Sequence, residues 1–176
     1  NMGNVRQYNN LVTASEVISN SFTNQATDTA LITNSIIDIA ELAHIKPELG
    51  LDFYEEIKTQ NHNSTLTSDN TVLMNDFLKP ALCWFVRFEV MNEIQYNTTS
   101  AGVVVNVSDF STPANVEQFN QMKQDTYRKA KVLLDDMIAF IQHEDQSGKY
   151  PLFGQDGDSS MPDVDHATKL NGIIFY

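Results

Sequence analysis

The chain has 176 residues, 41% of them apolar and 19% charged, with a formal net charge of −12. That length suits one domain with a core of its own, and the apolar share excludes a wholly disordered chain. The acidic balance disfavours tight nucleic-acid binding, because phosphates are normally neutralised by Lys and Arg.

"TASEVISNSF" opens a short first helix with a capping box, in which Thr13 accepts from the backbone three residues on and Glu16 reaches back. Thr27 or Asp28 can cap a second helix, with Ile32, Ile36, Ile39, Ala40 and Ala43 spaced by three and four on one face. Pro47 predicts a stop near Ile45 or Lys46 and suits the first turn of a third helix lined by Leu49, Phe53 and Ile57. "NHNSTLTSDN" is a polar breaker. "TVLMNDFLKPALCWFVRFEVMNEIQY" is apolar on most sides, which predicts a central helix buried among others, bent near Lys79 by Pro80. Cys83, the only cysteine, sits there without a partner, so no disulfide is expected and a reducing compartment fits.

"NTTSAGVVVNVSDFSTP" interrupts the helical pattern with Val103, Val104, Val105 and Val107 after Gly102. A second long helix follows, capped by Thr112 with Pro113 in its first turn. It is expected to reach about Glu144, with Val116, Phe119, Tyr127, Ala130, Leu134, Met137 and Ile141 inward and Gly148 as its stop. The excursion exceeds the few residues that antiparallel helices need, and a lone hairpin is marginal in water. A neighbouring chain that buries the valines would resolve both points; the alternative is an ordinary hairpin folded back on its own bundle. The polar stretch that follows ends in apolar, β-prone Ile173, Ile174, Phe175 and Tyr176. The expected fold is mainly α. A small helical bundle spans residues 1–153, its two long helices joined by a protruding β-prone loop or hairpin at 97–111, with an extended tail at 154–176.

No catalytic constellation is complete. Glu41 and His44 form half of a di-iron Glu-x-x-His pattern, but no second pair exists, and His44 reads as a surface or satisfied residue. Asp156, Asp158 and Ser160 alternate as in a calcium loop, yet Met161 replaces the turn glycine and Ala167 the bidentate glutamate. Cys83 reads as inert packing. The adjacent pairs Glu55 with Glu56 and Asp135 with Asp136 read as solvated faces, and Trp84, Phe85 and Phe88 as core. No enzyme activity, metal or cofactor is expected, and no run approaches the roughly 20 apolar residues of a membrane span. The competing expectation is a cytosolic helical enzyme or ligand-binding module with a pocket around Trp84 and His44.

"AELAHIKPELGLDFYEEIKTQ", "LKPALCWFVRFEVMNEIQYNTTSAGVVV", "STPANVEQFNQMKQDTYRKAKVLLDDMIAFI" and the closing "GIIFY" together resemble the head-to-tail connector proteins of tailed bacteriophages, especially those of the crAss-like kind. The likeness covers residues 11–153 as an order of elements. It implies a structural virion protein made in the host cytoplasm, forming a ring of twelve copies between portal and tail at the head–tail junction. DNA would pass through the lumen without specific binding. It also implies that Gly102, Val103, Val104, Val105 and Val107, with Ile173, Ile174, Phe175 and Tyr176, contact neighbouring subunits, the portal protein or an adjacent tail or connector ring. A head-to-tail contact between identical chains closes into a ring when its rotation permits, and an acidic lumen would repel DNA within about 8 Å.

Overall fold

The computed structural model describes residues 7–22, 29–101, 116–145 and 147–155, and all regular structure among them is helical. It is a small helical bundle, as the sequence predicts. Helix α1 (Ala14–Ser21) carries the expected capping box: the Thr13 hydroxyl accepts from the Glu16 N–H at 3.2 Å, and the Glu16 carboxylate accepts from the Thr13 N–H at 2.8 Å.

Helix α2 (Asn34–Ala40) begins later than expected. Its cap is Thr33, whose hydroxyl accepts from the Ile36 N–H, while Thr27 and Asp28 lie outside the described residues. Ile32 is buried from a non-helical turn before the helix. Of the predicted stripe, Ile32 and Ala40 are buried and Ile36 packs against the core, whereas Ile39 is 51% exposed and Ala43 faces solvent; Ile37 is the buried position the stripe lacked.

The predicted stop at Ile45 or Lys46 is also corrected. The helix widens into a π turn over Glu41–Ile45, where the Lys46 N–H reaches back five residues to the Glu41 carbonyl, and continues as α3 (Lys46–Leu49). Pro47 has no N–H to donate and its ring crowds the carbonyl four residues back; an extra residue in the turn relieves both. The stop comes at Gly50, with φ 82° and ψ 160°, a conformation essentially confined to glycine.

Helix α4 (Leu51–Asn63) ends on Ser64 in the left-handed region, and Thr67 caps α5 (Ser68–Val72). A second π segment (Leu73–Leu78) then leads into α6 (Lys79–Ala101), with the Lys79 N–H donating to the Met74 carbonyl just before Pro80. The distortion foreseen near Lys79 takes this form. Ala81, Leu82, Cys83, Phe85 and Val86 are all buried, so α6 is covered on several sides, as its sequence requires.

Helix α7 (Val116–Asp145) runs antiparallel to α6: Phe77 stacks on Phe140, Lys129 lies over Trp84, and Phe88 meets Tyr127. Phe119, Ala130, Leu134, Met137 and Ile141 are buried as expected. Tyr127 is not: it is 42% exposed, and its neighbour Thr126 is buried instead, its hydroxyl satisfied by the Met122 carbonyl. After Gly148, with φ 72°, a strap returns along the bundle. Tyr150 packs between Phe53 and Phe140 and donates to the Asp69 carbonyl; the Gly154 N–H bonds Leu49 at 2.9 Å, and Gln155 accepts from Asp52 at 3.1 Å. Thr112, Pro113 and the acidic stretch containing Asp156, Asp158, Ser160, Met161 and Ala167 lie outside the described residues.

Candidate functional site

Glu41 and His44 share the first π segment but serve different clusters. Glu41 is fully buried and accepts from the Leu11 N–H at 2.7 Å and the Tyr54 hydroxyl at 2.9 Å. The Lys58 ammonium, also buried, makes a close ion pair with the same carboxylate, and Asp38 lies 4.0 Å from that ammonium. One carboxylate thus joins the N-terminal segment, the π turn and α4. Two buried charges are tolerable only when paired and hydrogen-bonded, which this arrangement provides. Sequence reading missed it, although Tyr54 and Lys58 stand four apart on α4 and so share a face.

His44 points to α6. Its Nε2 lies 2.9 Å from a Glu89 oxygen, its ring stacks on Phe85 at 4.2 Å, and the edges of Phe88 and Tyr127 close around it. The hydrogen bond from His44 holds the Glu89 carboxyl below the usual carboxylate range, outweighing partial burial. Trp84 belongs to a different group, flanked by Arg87 and Lys129, with Arg87 in turn against Phe22 and donating to the Ser21 carbonyl at 2.6 Å. His44 and Trp84 therefore do not converge on one cavity. Cys83 is buried, and desolvation pushes its thiol up to about 12, as expected of inert packing.

A cleft of about 600 Å³ lies elsewhere, between the N-terminal segment, α1, α4 and the start of α6. Its walls bond to one another: Asn10 donates to the Asn34 carbonyl, Asn61 to the Asn10 carbonyl, and Lys79 pairs with Glu16 at 2.7 Å. Burial alone would raise the Glu16 carboxyl, but Lys79 and the Thr13 N–H bring it below its ordinary range. Among the described residues no group of three or more His, Cys, Asp or Glu could hold a metal, and no helix is long and apolar enough to cross a membrane.

The residues singled out from sequence as contacts, Gly102, Val103, Val104, Val105, Val107, Ile173, Ile174, Phe175 and Tyr176, lie outside the described residues. The described parts of α6 and α7 flank the first group in the sequence.

No curated protein and no solved structure matches the chain. A family of unknown function (DUF6712) matches over residues 45–160, from the end of the first π turn past the strap, and the chain belongs to that family.

Proposed function

We propose that the chain is a structural, non-enzymatic virion protein, a connector whose copies form a ring between the portal and the tail of a tailed phage. The observation that carries this reading is the valine run Val103, Val104, Val105 and Val107, which lies in the sequence between the antiparallel helices α6 and α7. β-prone sequence between two packed helices is suited to adding strands or apolar surface to a neighbour. The likeness of the quoted segments to phage connectors supports the same assignment, with twelve copies as the expected ring. The portal protein and an adjacent tail or connector ring are the expected partners, and packaged DNA would pass through the lumen. The ligand-module alternative has less support, because His44 and Trp84 occupy separate clusters.

The test is the double substitution Val104→Asp and Val105→Asp. On the proposal, helix content by circular dichroism is unchanged while assembly with the portal is lost, since unpaired charge would be buried at the contact. Unchanged assembly by electron microscopy would remove these valines from the interface.

A further inference from the structure

One wall of the cleft between the N-terminal segment, α1, α4 and the start of α6 is made by residues 9–13, which are not helical. Their N–H groups alternate in fate. Those of Asn9, Leu11 and Thr13 each donate to a side chain, His62 Nδ1 at 3.4 Å, Glu41 Oε1 at 2.7 Å and Glu16 Oε2 at 2.8 Å. Those of Asn10 and Val12, between them, have no hydrogen-bond partner among the described residues, and neither do the carbonyls of Asn9 and Leu11. Backbone groups beside a packed core are rarely left unpaired. Leu11 and Val12 send their side chains into that core, so what they offer the cleft is backbone.

The rest of the lining is polar without net charge. Its two charged side chains, Lys79 and Glu16, pair with each other at 2.7 Å, and most of its other polar side chains are amides, Asn34 and Asn61 among them. Asn10 and Asn61 spend their amino groups on the carbonyls of Asn34 and Asn10, which fixes both side chains and leaves their oxygens as acceptors. An ion placed there would leave water without meeting an unpaired opposite charge, which favours an uncharged ligand that both donates and accepts. A saccharide and a peptide backbone both fit that description. The alternation decides between them: N–H groups paired on every second residue and open on the residues between are the pattern of a strand edge, and an extended partner repeats its donors and acceptors in the same way.

We propose that this cleft binds an uncharged, extended peptide segment of another protein. Its carbonyls accept from the N–H groups of Asn10 and Val12, and its N–H groups donate to the carbonyls of Asn9 and Leu11 and to the amide oxygens beside them. Small polar side chains such as Ser, Thr and Asn suit the amide-lined walls. The inference goes beyond the connector reading and does not depend on it.

Nuclear magnetic resonance on the full, isotope-labelled chain tests it, with the blocked peptide acetyl-Thr-Ser-Thr-Ser-Thr-amide as probe. In the free chain the Asn10 and Val12 amides should exchange with solvent faster than that of Leu11, and millimolar peptide should shift both signals and slow their exchange. The same peptide methylated on its backbone nitrogens should bind at least about tenfold more weakly. Asn34→Ala should weaken binding about threefold to tenfold with an unchanged circular dichroism spectrum, because among the described residues the fold uses the Asn34 carbonyl and not its side chain. Asn10 and Val12 amides already protected in the free chain would mean that the chain fills its own edge, and would overturn the proposal. So would the absence of any shift at these amides, or equal binding of the methylated peptide. A response to cellobiose but not to the peptide would make the cleft a saccharide site and overturn it as well.

Discussion

Glu41 and Lys58 illustrate at the scale of single residues how this fold handles charge. Neither is accessible, and each leaves the other uncompensated if removed. Lys58→Ala should therefore destabilise the chain by about 3 to 5 kcal/mol in urea unfolding, and a loss under about 1 kcal/mol would contradict the pairing described. Glu89 gives a pH dependence whose sign follows from its lowered pKa. A carboxyl more acidic in the folded than in the unfolded chain contributes stability that is whole above its ordinary 4.5 and lost as pH falls through the folded value. Thermal midpoints measured from about pH 6 to about pH 3 should fall less steeply in His44→Ala than in the wild type, because the hydrogen bond that lowers Glu89 is gone. Cys83 should resist thiol reagents in the native state and react only at the rate of unfolding, since its thiolate is disfavoured by burial.

The elements show which features could be read from sequence and which could not. The Thr13 capping box and most of the inner face of α7 were legible because both depend on residues within a few positions of each other. The start of α2 was misplaced because Ile32 is apolar and buried without being helical. Pro47 reads locally as a helix stop, yet packing of the turns on either side favours a widened π turn over a break. Burial of Glu41 required knowing that α4 returns beside it, which no local pattern records. The strap was likewise unseen as a docked element. Its contact explains Gly50: a Cβ there would stand 2.9 Å from the Gln155 carbonyl oxygen, on a backbone already at φ 82°. Gly50→Ala should cost about 2 kcal/mol and expose residues 147–155 to proteolysis; retention of wild-type stability and protection would contradict the close approach.

At the scale of the whole molecule, the described helices form a packed body, and the valine run lies in the sequence between α6 and α7. The proposal assigns that run to assembly. The helical class was legible in the periodicity of the chain; any contact with a neighbour would leave only indirect marks on a single chain. The most direct measurement is a cryo-electron microscopy map of the head–tail junction of the phage particles to which the proposal assigns this chain. The account predicts a closed ring beneath the portal whose density accepts the antiparallel α6–α7 pair once per subunit, with residues 102–107 against a neighbour. Purified particles that lack the chain, or a junction with no ring that fits this helix pair, would contradict it.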